Sequence, residues 1–308
     1  MISLVGDVGG TNTRLALADG ADLRADTVLR ARNADHAAFL DVVSAYMARH
    51  DCSDVSSVCI AIAGPVHQDQ GELTNRNWAI SAPQVGAHVG ADRVELINDL
   101  SALGYSLPGQ NLHPICGAHG ALSNGQALVA GLGTGFNVSP ARQLPAGGSA
   151  VFEAEKGHAE IPASVYRLLV RELGDAADAF PTVEDMFCGL GLEKLHLALT
   201  GKTASGETIV SAYDTGTDTN ANRTITLFAR GMGLLARTLI CEYLPRDGLI
   251  FAGSVARGVL SSRALPEFTR TYLAPGMDVV RPSEIPVSMI TDDAAALLGC
   301  LRYLTTRL

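Results

Sequence analysis

Short apolar runs punctuated by glycine pairs alternate along the chain with longer segments of helical periodicity. Leu4-Val5 and Leu15-Ala16-Leu17 flank the polar turn Asp7-Val8-Gly9-Gly10-Thr11-Asn12, and runs this short predict a buried hairpin rather than a helix. Segment 36–50 places Phe39, Val42, Val43, Tyr46 and Met47 at helical spacing, which predicts an amphipathic helix on a sheet. Segment 57–63 predicts a fully buried strand ended by Gly64-Pro65, and 93–97 is a strand that runs into Asn98-Asp99. A second glycine-rich hairpin spans 127–138. Helices are predicted over 162–174, from Thr182 until Gly189 and Gly191 interrupt, and over 222–244, where Gly231 and Gly233 leave room for another backbone. A strand over 248–254 ends in a small-residue turn before a helix begins at Val255. The last strand covers 286–290, and Thr291, Asp292 and Asp293 cap a final helix through Tyr303 that is expected to pack back on the first lobe. Strands and helices in this order predict an α/β protein with mixed sheets flanked by helices, whose ligands sit at the carboxyl ends of the strands.

At 308 residues the chain is long enough for two lobes with ample cores. A net charge of −9 argues against binding nucleic acid. The six cysteines lie far apart with no C-x-x-C pair, which predicts reduced thiols rather than a zinc site or disulfide framework. No cationic start with an apolar run precedes the first strand, and no apolar segment is expected to reach membrane-spanning length. A cytoplasmic protein without membrane contact is therefore expected.

The first turn has the chemistry of a phosphate loop. Gly9 and Gly10 permit left-handed backbone and close approach, so that successive N–H groups and the Thr11 hydroxyl can converge on a phosphate beside Asn12. Asp7 can then hold a hydrated magnesium ion. An ordinary hairpin turn remains the alternative. Gly131-Leu132-Gly133-Thr134-Gly135 repeats the organisation and hints at a duplicated fold. It is no dinucleotide fingerprint, because Phe136 stands at the third glycine's place, and Gly201-Lys202-Thr203 is no Walker loop, because His196 stands at the upstream glycine's place. Gly253 and Ser254 leave room for a base or ribose.

Polar clusters are less decisive. Asn75, Asn77 and Thr74 beside Trp78 suit a sugar, yet also suit any polar surface loop. Asp99 at a strand end can take a proton from a hydroxyl, whereas Asn98 and Asp99 are both favoured helix caps, and the two readings stay open. Glu153 to Glu160 reads either as polar recognition or, by composition alone, as a solvated loop.

In joint order, Gly6-Asp7-Val8-Gly9-Gly10-Thr11-Asn12, Ile97-Asn98-Asp99, the Gly133-Thr134-Gly135 hairpin, Glu155-Lys156-Gly157-His158 and Ala252-Gly253-Ser254 resemble the bacterial glucokinase family of the actin, Hsp70 and hexokinase superfamily. The match runs from Val5 to about Leu301. It implies a two-lobed actin-like ATPase (ribonuclease H-like) fold, with a small domain of 1–100 plus 291–308 and a large one of 101–290. It also implies ATP- and magnesium-dependent phosphorylation of glucose or a related hexose at O6, in a homodimer. Asp99 would be the base. Asn75, Asn98, Glu155, His158 and Glu184 would grip the sugar. Asp7, Gly9, Gly10, Thr11, Asn12, Gly133, Thr134 and Gly135 would hold the phosphates and metal, and Gly253 and Ser254 the adenosine. Lys156 stands where related enzymes often have glycine, and Phe136-Asn137 replace a smaller step, so sugar choice is less secure than kinase activity. Between Glu155 and Gly191 only Cys188 occurs, which excludes the cysteine-rich zinc motif of the related repressor and kinase family. A kinase for another hexose or N-acetylhexosamine keeps every motif. An actin-like nucleotide-binding regulator would have no use for the Asn98-Asp99 and Glu155-to-His158 groups.

Overall fold

The computed structural model describes residues 1–73, 76–118, 123–145 and 147–306. The chain divides into two units, Met1–Gln110 with Gln143–Glu153 and Asp292–Leu308, and Asn111–Arg142 with Ala154–Thr291. The first unit thus extends past residue 100 and takes in the segment around Gln143–Glu153, which local sequence did not assign to it.

In the first unit β1 (Ile2–Val8) pairs antiparallel with β2 (Asn12–Asp19), whose other edge meets β3 (Asp22–Leu23) and β4 (Leu29–Arg32). After α1 (Phe39–Met47), β5 (Val55–Ile62) lies parallel to β1. A small antiparallel sheet of β6 (Val66–His67), β7 (Gln70–Glu72) and β8 (Ala79–Ser81) follows. Next come α2 (Ala82–Val89), β9 (Arg93–Asn98) parallel to β5, and α3 (Asp99–Ser106). The main sheet order is β3-β2-β1-β5-β9.

Alternation along β1, β2 and β5 sorts their side chains by size. Leu4, Leu15, Leu17, Val58 and Ile60 face one side, where Phe39, Val42, Val43 and Tyr46 of α1 cover them. Val5, Ala16, Ala18, Cys59 and Ala61 face the other, against Ala102 of α3 and Leu297, Cys300 and Leu301 of the last helix. Small residues on that face let these two helices come close to the sheet and to each other. At Gly299 a Cβ atom would run into the Ala102 carbonyl.

In the second unit the strands are β10 (Leu112–Cys116), β11 (Gln126–Leu132) and β12 (Phe136–Gln143). After β13 (Ser149–Val151) of the first unit come the helices α4 (Ala163–Leu173), α5 (Val183–Met186), α6 (Gly189–Thr200), α7 (Gly206–Thr215) and α8 (Thr219–Tyr243). The run ends with β14 (Gly248–Ala252), α9 (Ser254–Leu260), α10 (Leu265–Tyr272) and β15 (Val287–Ile290). Within the unit the strand order is β10-β15-β14-β11-β12. β11 pairs antiparallel with β12 and parallel with β14, as β1 does with β2 and β5. The likeness of the two glycine turns therefore extends to their topology.

Among the described residues α8 is the one helix long and apolar enough to cross a membrane, contrary to the expectation of none, but its apolar window is 67% buried inside the fold. Gly231 lies against the Phe187 ring, and Gly233 sits 3.0 Å, by its Cβ position, from the Phe268 carbonyl of α10, so the two glycines serve the close packing expected of them. All six cysteines are free thiols, four of them buried. The chain closes with α11 (Ala295–Thr306), which packs on α3, β1 and β5.

Gly299→Ala is expected to push α11 off the α3 backbone. Overpacking of this kind costs about 1–3 kcal/mol, so the thermal midpoint should drop by roughly 3–10 °C in a melt followed by circular dichroism. An unchanged midpoint would mean that the helices separate without loss.

Candidate active site

Strand register sets the first group of residues. Val8, Ile62 and Asn98 are aligned across β1, β5 and β9, so Asp7 and Asp99 stand at the carboxyl end of the three parallel strands. Asn98 is the N-cap of α3: its Oδ1 accepts from the amides of Leu100 at 3.0 Å and Ser101 at 3.4 Å, and its Nδ2 donates to the Gly64 carbonyl at 3.3 Å. The capping alternative is therefore realised at Asn98, which leaves Asp99 as the first helical residue with one carboxylate oxygen accepting from Leu100 N at 2.9 Å.

Burial pushes the Asp99 carboxyl up to about 7, the Asp7 carboxylate adds to the rise, and the backbone hydrogen bond opposes it. Asp7 is raised from the ordinary carboxylate range by burial, against the pull of Arg14, and Asp293 raises it further. Arg14 Nη1 donates to Asp7 Oδ2 at 3.0 Å, and Arg14 lies 3.8 Å from Asp293.

The turn from Gly9 to Asn12 closes with Gly9 N donating to the Asn12 carbonyl at 3.0 Å. Neither Gly9 nor Gly10 adopts the left-handed conformation expected of them. What shapes the turn is Asn33, a fully buried side chain that local sequence did not single out. Its Nδ2 donates to the Gly9 carbonyl at 2.7 Å, its Oδ1 accepts from the Thr13 hydroxyl at 2.8 Å, and its backbone N donates to Thr11 O at 2.9 Å. Only the pairing of β2 with β4 brings Asn33 to the turn, so no local signal could reveal it.

Asn75 lies outside the described residues, as does Thr74. Trp78, for which the sequence leaves both a sugar platform and a plain polar loop open, is buried, donates from Nε1 to the Ala37 carbonyl at 2.9 Å, and carries the Arg76 guanidinium 5.0 Å from its ring centre. Its indole belongs to the core.

The second unit brings together a different group. The turn of β11 and β12 closes through Gly133 N to Gly135 O at 3.0 Å, with Thr134 exposed at its tip. Gly189 N donates to the Gly133 carbonyl at 2.9 Å. Glu184 Oε2 accepts from Phe136 N at 2.7 Å, and a Cβ at Gly135 would lie 2.5 Å from that same oxygen. Gly157 packs so close to the Phe136 carbonyl that no side chain fits there. Space, not left-handed backbone, demands glycine at both places. Gly253 needs it twice over: its φ is +98°, and its Cβ would meet the Leu132 carbonyl, which sets the Gly253-Ser254 start of α9 directly against the hairpin.

Glu155 precedes the 3-10 turn Lys156–His158, His158 ends it, and both are exposed. Asn137 Nδ2 donates to Glu155 Oε2 at 3.1 Å, while Asn137 Oδ1 accepts from Lys156 N at 2.9 Å and Val138 N at 2.8 Å. Asn137 thus ties the cluster to the hairpin, while Glu153, Glu155, His158 and Glu160 all stay open to solvent.

A family model described as Glucokinase matches residues 4–307. The glucokinase of Saccharophagus degradans is 29% identical to this chain, over 98% of it and 97% of that protein. The glucokinase of Erwinia tasmaniensis is 30% identical, over 96% of this chain and 95% of its own length. A crystal structure of glucokinase from an Antarctic psychrotroph matches with a TM-score of 0.82 at 26% identity, covering 99% of each chain. The fold is the actin-like ATPase fold of such sugar kinases. By motif, topology and near end-to-end likeness, the chain belongs to the glucokinase family.

Proposed function

We propose that this chain transfers the γ-phosphoryl group of ATP to O6 of glucose, with Asp99 as the general base. The observation that carries the proposal is the carboxyl of Asp99, half-buried at a strand end and raised to about 7, so that it gains and loses a proton near neutrality. Ionised, it accepts the O6 proton as O6 attacks phosphorus. Asn98 caps α3 and so keeps Asp99 in register with the strand end. Glu155, His158 and Glu184 of the second unit contribute acceptors and a ring nitrogen for sugar hydroxyls.

Phosphoryl transfer leaves a protein mainly positioning and charge stabilisation to perform. The backbone amides of Gly10, Thr11 and Asn12, in a turn shaped by Asn33, and those of Thr134 and Gly135 serve the phosphates, while Gly9 and Gly133 use their own amides to close the two turns that present them. Gly253 and Ser254 serve the adenosine. Magnesium is held by one or two carboxylates with water and phosphate oxygens completing its shell. The donor set fits: Asp7 is close enough to Asp99 to oppose its ionisation, and Arg14 occupies only one oxygen of Asp7. When bound, the ion would neutralise charge on the transferring phosphate. Family likeness further supports a homodimer working in the cytoplasm.

Asp99→Asn is expected to lower kcat by roughly 10²–10⁴-fold while calorimetric glucose affinity stays within a few-fold. Near-normal turnover would remove Asp99 from the role of base.

Acid should act through the same group. As pH falls through about 7, kcat/KM for glucose should decline towards tenfold per unit, with an apparent pKa that belongs to the Asp7–Asp99 pair. Stability has the opposite sign. The folded state holds the Asp99 proton more tightly than the unfolded chain, so the contribution of this group to stability is complete below about 4 and is lost as pH rises through about 7. Asp99→Asn should therefore melt a few degrees above the parent at pH 8 and level with it at pH 4. A variant that melts lower at pH 8 would contradict the assigned direction.

A further inference from the structure

Asn137 and Lys156 read in sequence as two separate oddities, yet they are joined in the second unit. The Asn137 carboxamide bridges the start of β12 and the turn that bears Glu155. Its oxygen accepts two backbone amides, Val138 and Lys156, and its nitrogen donates to Glu155 Oε2. Only one orientation of the amide satisfies all three contacts, because the flipped form would face N–H against N–H and oxygen against carboxylate. One Glu155 oxygen is thereby fixed by the protein, and the carboxylate is oriented to offer the other.

Lys156 adjoins Glu155 in the chain, and its ammonium would be the natural competitor for that second oxygen. It points elsewhere. Lys156 Nζ pairs with Glu242 Oε1 at 2.7 Å near the end of α8, with the Lys156 side chain 15% exposed and the Glu242 side chain 37% exposed.

We propose that Asn137 and Glu242 are positioning residues for sugar recognition: Asn137 aims the Glu155 carboxylate, and Glu242 holds the Lys156 ammonium away from it. The proposal rests on Glu155 as a sugar contact. Hexoses that differ at the hydroxyl facing Glu155 are then distinguished by a carboxylate of fixed direction, not by a mobile surface acid.

The test is steady-state kinetics with glucose and MgATP, together with thermal melts of each variant. Asn137→Asp keeps the acceptor for both amides but removes the donor and sets a second carboxylate against Glu155. It should raise KM for glucose by roughly five- to twentyfold, with kcat and KM for ATP within about twofold. Glu242→Gln should raise KM for glucose by about three- to tenfold, and Lys156→Met added to it should restore the parent value. Glu155→Gln separates the two levels. An unchanged glucose affinity in Glu155→Gln would overturn Glu155 as a sugar contact. Loss of affinity there with parental KM in Asn137→Asp would overturn the role of Asn137. Failure of Lys156→Met to rescue Glu242→Gln would overturn the role of Glu242.

Discussion

Two acids stand at one end of the first unit's parallel strands, Asp7 and Asp99; burial opposes the ionisation of both, and the charge of Asp7 opposes that of Asp99 further. Much of the surrounding structure answers that constraint. Arg14, opposite Asp7 in the β1–β2 pairing, draws Asp7 towards its charged form and also reaches Asp293 just ahead of α11. The first amides of α3 meet the capping carbonyl of Asn98 and the carboxylate of Asp99. A helix start favours negative charge, so Asp99 sits where ionisation is encouraged by the backbone and resisted by its surroundings. A proton held near neutrality is the outcome of that balance.

Close backbone approach is the second theme. The face of the first sheet built from alanine and cysteine admits α3 and α11, and Gly299 lets them touch at Ala102. In the second unit Gly135 lies over Glu184, Gly157 against Phe136, and Gly253 against Leu132. The contacts of Gly157 and Gly253 tie their loops to the hairpin through backbone, which holds position without the rotamer freedom of long side chains, whereas Gly135 makes room for the Glu184 carboxylate.

Periodicity and glycine spacing carried most of the fold. Both hairpins, the buried strands from Val55 and Gly248, and the long helix α8 announce themselves because each is longer than its boundary uncertainty and strongly patterned. The short strands β6 to β8 and the helices α2, α7 and α10 do not, since two- or three-residue strands hold too little pattern and these helices begin amid turn-forming residues. Within the site, Asp99 and the glycine turns were legible because their chemistry is local. Asn33 was not, because its partners Gly9 and Thr13 lie 24 and 20 residues away and meet it only through the β2–β4 pairing. For Trp78 the sequence left a sugar platform and a plain polar loop open, because the partner of its indole, the Ala37 carbonyl, stands 41 residues away in the chain.

The same distinction bears on how a departure from a family pattern is read. Lys156 taken alone looks like a cation intruding on a cluster of acids, and Asn137 taken alone looks like an oversized step in a phosphate hairpin. Folded, Lys156 gives its amide to Asn137 and its ammonium to Glu242, while Asn137 gives its own N–H to Glu155. Removal of any one member frees its partner to take another direction, since Glu155 and Glu242 are exposed and water meets whatever the protein no longer holds. The four residues therefore constrain one another, and a change at position 156 alone is a change in the environment of Glu155 and Glu242 as well.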